Sequence, residues 1–178
     1  MTMFPFKAAS LTIGIPTVNS IFLNGYLLLF LLILCGFALY DIRYKRVPNK
    51  ALIFFAPIAL MSPVVLLLSE SGWPVHAVPL LLNVSVAMLG AFLGGGILLL
   101  AGLISGGGIG GGDIKLAAVL GFVYGPFGIT GILLVAAPAA MVYSVIRRKR
   151  SGRQTLHLAF VPFILLGSFL LTAIKLFV

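Results

Sequence analysis

The chain has 178 residues and a net charge of +9, with 61% hydrophobic and only 8% charged residues. Its mean hydropathy is +1.23. This composition excludes an ordinary soluble domain, whose surface needs far more charge. Leu-rich runs that reach about 20 residues are typical of membrane helices, and they lack the alternation of β-barrel strands. The sequence therefore predicts an all-α, polytopic membrane helix bundle.

Apolar runs in chain order predict about six transmembrane helices. The predicted spans cover about 20–40, 51–69, 77–104, 113–124, 127–146 and 156–178. The fourth span gives only about 18 Å of helix against a bilayer core of about 30 Å, and Gly125 with Pro126 predicts a turn after it. Residues 1–19 are expected to form an extracytoplasmic N-terminal segment, and 20–178 a single transmembrane domain.

Basic residues fall almost entirely on one side of this predicted bundle. Of the 12 Lys and Arg residues, all except Lys7 and Lys175 lie in or beside the loops after the first, third and fifth spans. The positive-inside rule makes these loops cytoplasmic, which predicts a multi-pass protein of the cytoplasmic (inner) membrane with both termini outside the cytoplasm. Topology and contact with anionic lipids explain the positive charge, so no nucleic-acid partner is expected.

The chain contains only three carboxylates, which are Asp41, Glu70 and Asp113. Asp41 and Asp113 fall at the cytoplasmic ends of predicted spans, and an acid held at a helix centre costs about 2.5 to 3.5 kcal/mol on insertion. Glu70 falls in the opposite loop with Trp73 and His76, where solvation and interfacial anchoring explain these residues. We therefore expect Asp41 and Asp113 to share a function that Glu70 does not have.

The first aspartate closes the first predicted span and is followed by a basic loop. Seven positions after Asp41 the loop reaches Pro48 and then Asn49. Proline stiffens the loop exit and Asn can cap a helix, so these two residues are expected to fix where the second helix begins. An acid at the C-terminal end of a helix opposes the helix dipole, so capping does not explain Asp41.

The second aspartate follows a glycine-rich segment. Gly110 and Gly112 lead to Asp113, and Lys115 comes two positions later. The glycines are expected to adopt backbone conformations closed to other residues and to let a substrate strand approach the acid. Capping is the structural alternative, because a carboxylate is favoured at a helix N-terminus. The same dipole argument predicts that Asp41 holds the proton if the two acids share one.

The combination of Asp-x6-Pro-Asn with Gly-x-Gly-Asp-x-Lys resembles the type IV prepilin peptidase family of GxGD-type intramembrane aspartic proteases. The resemblance extends from about Tyr26 to the C-terminus and includes Pro162 and Phe163. It implies a membrane aspartic endopeptidase with Asp41 and Asp113 as catalytic residues and with no metal or cofactor. It also implies a substrate, a type IV prepilin or pilin-like precursor, whose leader is removed after a Gly at the cytoplasmic face.

Residues beside the two acids are expected to position them. These residues are Pro48, Asn49, Gly110, Gly112 and Lys115. Two neighbouring carboxyls suit peptide hydrolysis, because one can take a proton from water while the other donates a proton toward the scissile carbonyl oxygen.

Larger members of the family carry paired Cys-x-x-Cys motifs and a second, methylating activity. Cys35 is the only cysteine of this chain, so the chain resembles the short, peptidase-only branch. Presenilins and signal-peptide peptidases also pair Tyr-Asp with Gly-x-Gly-Asp, and Tyr40 with Asp41 fits that pattern. Their usual Pro-Ala-Leu segment does not occur here.

Two other classes of function remain open at this point. A small proton-coupled membrane transporter would also use intramembrane acids, and a non-catalytic pilus-assembly scaffold would not need them. Small residues offer faces where another helix could approach closely, either the substrate's membrane stem or a helix of the chain itself. The predicted faces are formed by Gly90 with Gly94 and by Gly121 with Gly125.

Overall fold

The computed structural model describes residues 18–45, 47–71, 77–104, 109–151 and 159–177. They form six helices: α1 (Val18–Tyr44), α2 (Asn49–Leu60), α3 (Ser62–Ser71), α4 (Ala77–Ile104), α5 (Gly111–Ser151) and α6 (Val161–Phe177). Within these ranges there is no strand, so the all-α prediction is confirmed.

Long apolar helices give the chain a multi-pass membrane architecture. The candidate spans found in the described ranges are Phe22–Tyr44, Asn49–Leu68, Pro79–Ile104 and Gly111–Arg147, with Val161–Ile174 as a shorter apolar helix. Large apolar side chains such as Phe92 and Phe127 point outward, as they do on helices that face lipid. The predicted membrane bundle is confirmed, and the count of six spans stays a prediction.

The second predicted span is built from two helices. α2 ends at Leu60 and α3 begins at Ser62, so the span is interrupted at Met61. Near this break the Tyr26 hydroxyl of α1 donates a hydrogen bond of 2.9 Å to the carbonyl of Ile58. The Ile58 carbonyl also accepts from the N–H of Met61, at 3.3 Å, so the bond from Tyr26 is an additional one that holds the interrupted span against α1.

α5 is interrupted at Gly125, whose φ of 71° and ψ of 179° lie outside the helical region. A positive φ strains residues that carry a Cβ, which is why a glycine suits this position. Pro126 follows and cannot donate a backbone hydrogen bond to the preceding turn. The break divides α5 into a first arm, 111–124, and a second arm, 126–151.

The two arms of α5 lie side by side. A Cβ added at Gly94 of α4 would touch both Ala117 of the first arm and Ile129 of the second. Twelve residues of straight helix would separate Ala117 from Ile129 by about 18 Å. The chain therefore reverses direction at Gly125, and the turn predicted there is confirmed.

A buried serine supplies a hydrogen-bond donor to the backbone at this reversal. In a regular helix the carbonyl of Phe122 would accept a hydrogen bond from residue 126, but Pro126 has no N–H. The Ser62 hydroxyl, at the start of α3, donates to the Phe122 carbonyl at 3.3 Å instead. The break in the second span and the break in α5 are therefore joined at one level of the bundle.

The predicted small-residue faces pack inside the molecule. A Cβ added at Gly90 of α4 would collide with the backbone of Gly121, and one added at Gly121 would collide with the backbone of Gly90. Gly94 is equally close to the backbone of Ala117. These faces let α4 and α5 touch, so they are not free to receive a substrate helix.

Aromatic packing joins α1 to α2 and to the first arm of α5. Phe30 of α1 is fully buried and stacks on Phe55 of α2 with ring centroids 4.4 Å apart. Its edge also meets the ring of Tyr124, at the end of the first arm of α5. α1 packs along α6 as well. These contacts pack α1 against α2, the first arm of α5 and α6.

Some predictions concern residues outside the described ranges. The N-terminal segment 1–19 falls almost wholly outside them, and so do Trp73, His76 and the side chain of Glu70. The orientation of the bundle across the membrane stays a prediction.

Candidate active site

Asp41 lies one turn before the end of α1 and is buried, with 3% of its surface exposed. The backbone N–H of Val161 donates to its Oδ2 atom at 3.1 Å, and the backbone of Phe160 is a second partner. α6 begins at Val161, and the first amides of a helix have no partner within that helix. The Asp41 carboxyl therefore caps α6 from another part of the chain.

This contact corrects the dipole argument made from the sequence. Asp41 was expected to meet only the C-terminal, negative end of α1. It also meets the N-terminal, positive end of α6, where the dipole acts in the opposite direction. The premise that placed a shared proton on Asp41 is therefore wrong.

Asp113 lies in the first turn of α5. The backbone N–H groups of Asp113 and Ile114 both donate to the carbonyl of Gly110, which begins the helix. The Asp113 side chain is partly exposed, and its neighbour Gly112 lies against Val47, in the connection that follows α1 and Asp41. Acids from helices far apart in sequence are thus brought to one end of the bundle.

Gly112 allows the two motifs to touch. A Cβ added at Gly112 would lie 2.8 Å from the Cβ of Val47 and 3.2 Å from its carbonyl oxygen. Neither Gly110 nor Gly112 has a positive φ, so the expectation of special backbone conformations is wrong for both. Gly112 is needed because it has no side chain, which leaves room for the connection between α1 and α2, and not because of its backbone conformation.

The remaining motif residues join the two segments by a different route. Pro48 precedes α2 with an extended backbone, φ −71° and ψ 117°, and its carbonyl accepts from the N–H of Leu52. Asn49 is the first residue of α2 and not its N-cap, which is Pro48 and makes no side-chain capping bond. Its Oδ1 accepts a hydrogen bond of 3.4 Å from Nζ of Lys115, two positions after Asp113.

The sequence reasoning missed two contributors to this site. One is the backbone at the start of α6, Phe160 and Val161, which binds the Asp41 carboxyl. Pro162, just inside α6, was a usable signal, because proline is common in the first turn of a helix. The other is Val47, whose contact with Gly112 only the tertiary structure reveals.

No grouping of three or more His, Cys, Asp or Glu residues that could hold a metal occurs in the described ranges. Cys35 is a free, exposed cysteine of α1. The described site has two carboxyls, of which Asp41 lies at the N-terminus of α6 and Asp113 in the first turn of α5.

Comparison with known proteins places this pair of acids in a family. The model of the type IV leader peptidase family matches residues 26–145, about two thirds of the chain, and this range includes both aspartates. The chain belongs to the type IV leader peptidase family. The resemblance read from the two motifs is thereby confirmed.

A curated relative supports the same assignment. The prepilin leader peptidase/N-methyltransferase of Bacillus subtilis (strain 168) is 32% identical over 148 residues, which cover 79% of this chain and 52% of the relative. The chain thus spans about half the length of this member of the leader peptidase family. No solved structure matches the chain significantly.

Proposed function

We propose that the chain is a membrane aspartic endopeptidase that removes the leader peptide from type IV prepilin or pilin-like precursors. Membership of the leader peptidase family and the name of the Bacillus subtilis relative support the reaction and the substrate class. The observation that carries the proposal is the contact between the two aspartate motifs, in which Gly112 lies against Val47 and Lys115 donates a hydrogen bond to Asn49.

In the proposed mechanism the two carboxyls divide the work of hydrolysis. One carboxylate takes a proton from water, whose oxygen attacks the scissile carbonyl carbon, while the other carboxyl donates a proton toward the carbonyl oxygen. The tetrahedral intermediate then collapses, the C–N bond breaks, and the new amine takes a proton. Water reaches the pair through Asp113, which is partly exposed, while Asp41 is buried against α6.

The start of α6 positions Asp41 in this scheme. The N–H of Val161 binds Oδ2 of Asp41, and the backbone of Phe160 is a second partner of the same carboxyl. A hydrogen bond between an amide and a carboxylate is worth about 1.5 to 3 kcal/mol, enough to restrict the carboxyl rotamer. Pro48, Asn49, Gly110, Gly112 and Lys115 act as positioning residues around the pair.

We also propose that cleavage takes place at the cytoplasmic face of the inner membrane, where the basic loops lie by the positive-inside rule. Anionic lipid headgroups would contact the exposed side chains of Arg43, Lys45 and Lys50 at the same end. The proposal covers the peptidase reaction alone and not the methyl transfer named for the Bacillus subtilis relative.

Incubation of the purified protein with a prepilin, with the product mass as readout, tests the function. We expect the wild-type chain to release the leader, and Asp41→Asn and Asp113→Asn each to reduce the rate more than 100-fold, because Asn keeps the shape but cannot exchange the proton. Glu70→Gln is the matched control and should cleave normally. Normal cleavage by either Asn variant would refute the two-aspartate mechanism, and an intact substrate with well-folded wild-type protein would refute the peptidase function.

A further inference from the structure

A groove lies between α1 and α2 at the end of the bundle that carries the aspartates. It is lined by Ile33, Gly36, Phe37, Tyr40, Pro48 and Ala51, and its volume is about 190 Å³. The lining is almost wholly apolar. The four residues from α1 fall at the spacing i, i+3, i+4 and i+7, so they form one face of that helix.

The size of the groove indicates what it can hold. Sites for cofactors and drug-sized molecules have volumes of about 300 to 1,000 Å³, so 190 Å³ is too small for such a ligand. It suits a few side chains that insert from a neighbouring helix, as knobs insert into holes between packed helices.

Gly36 makes this face of α1 open to close approach. Nothing lies within 4 Å of a Cβ added at Gly36, whereas Gly90 and Gly121 are closed by each other's backbone. A small residue that faces no other part of its own chain lets a second membrane helix bring its backbone close. Gly36 is therefore the feature of the groove that favours a helix as occupant.

The groove borders the connection between α1 and α2, which contacts the second aspartate motif. Phe37, at one wall, lies one turn before Asp41 on α1, and Pro48, at the other wall, follows Val47. Val47 in turn lies against Gly112, next to Asp113. A helix seated in the groove would thus end beside the connection 47–48, which contacts the segment that carries Asp113.

We propose that this groove docks the apolar membrane stem of the leader-bearing substrate, with side chains of the stem inserted beside Gly36. The inference rests on the proposed peptidase function and deepens it, because it assigns the surface that recognises the substrate. Docking at α1 and α2 presents the junction between leader and stem to Asp41 and Asp113. The α4–α5 glycine faces are occupied and take no part.

Substitution at Gly36 tests this proposal without disturbing the fold. Gly36→Leu fills the groove, and Gly96→Leu on α4 is the matched control, because a Cβ added at Gly96 also meets nothing within 4 Å. The substrate is a synthetic precursor with a basic leader ending in Gly followed by a 20-residue apolar helix. We expect Gly36→Leu to raise KM at least tenfold with little change in kcat, and Gly96→Leu to match the wild type. Wild-type KM for Gly36→Leu would overturn the proposal.

Photocrosslinking separates docking from cleavage. Benzoylphenylalanine replaces Gly36 or Gly96 in the Asp113→Asn background, and the same precursor is added in lipid vesicles. Capture of the precursor at position 36 but not at 96 supports the groove, even if the wild-type chain fails to cleave and the peptidase function falls. Crosslinks at position 36 to lipid alone, or equal capture at both positions, overturn docking even where cleavage by the wild-type chain is normal.

Discussion

The α4–α5 interface and the α1–α2 groove use glycine for opposite purposes. At the interface Gly90 and Gly121 bring two helix backbones into contact, and neither has room for a methyl group. In the groove Gly36 faces open space beside the candidate active site. In the sequence these residues look alike, since each is a glycine in an apolar helix. The difference teaches that a small residue in a membrane helix indicates close approach, but only the fold shows whether the partner helix belongs to the same chain.

The largest effect on stability is expected at the closed interface between α4 and α5. Gly121→Leu would drive a side chain into the backbone of Gly90, so we expect destabilisation at or above the upper end of the about 1 to 3 kcal/mol typical of overpacking. Thermal unfolding of the detergent-solubilised protein measures this, with Gly36→Leu as the control that should melt near the wild type. Equal melting temperatures for the two variants would abolish the distinction between closed and open glycines.

A second substitution, at Gly112, tests whether the close contact with Val47 matters more for activity than for stability. Gly112→Val would push Val47 away and shift Asp113 relative to Asp41, so we expect cleavage to fall at least tenfold while the helical content is kept. Gly111→Val is the matched neighbour, because a Cβ added there meets nothing within 4 Å. If both variants cleave at the same rate, the contact between the motifs has no role in positioning.

The smallest effect is expected at the polar contact across the two motifs. Lys115→Met removes the donor to Asn49, and an exposed hydrogen bond of this kind is worth about 0.5 to 1 kcal/mol. Cleavage should fall about twofold to fivefold. Asn49→Ala should have a similar effect, and the double variant should be no worse than either single one, because all three lose the same bond. Fully additive losses would show that Lys115 and Asn49 act separately.

The helices and the two acids could be predicted from the sequence, because the apolar composition of the chain leaves few alternative structures. Long apolar runs can only be helices in a bundle of this kind, and acids are so rare in the chain that Asp41 and Asp113 stand out. The reversal at Gly125 could also be predicted. Glycine can adopt a positive φ that ends a helix, and the Pro that follows has no backbone N–H to donate.

The tertiary contacts of the site could not be read in this way. The amide that binds Asp41 comes from Val161, which lies 120 residues later, and backbone groups carry no sequence signal of their own. Asn49 has the residue type of a cap but contacts Lys115 instead. Local preference predicted each segment, and the packing of distant segments decided what each side chain does.

The bond between Ser62 and Phe122 bears on how the chain is assembled in the membrane. Synthesis proceeds from the N-terminus, so Ser62 enters the bilayer before Pro126. The carbonyl that Pro126 leaves without an amide donor therefore finds a hydroxyl already in place when the α5 reversal forms. The reversal in α5 thus takes one of its hydrogen-bond donors from a helix that is synthesised earlier.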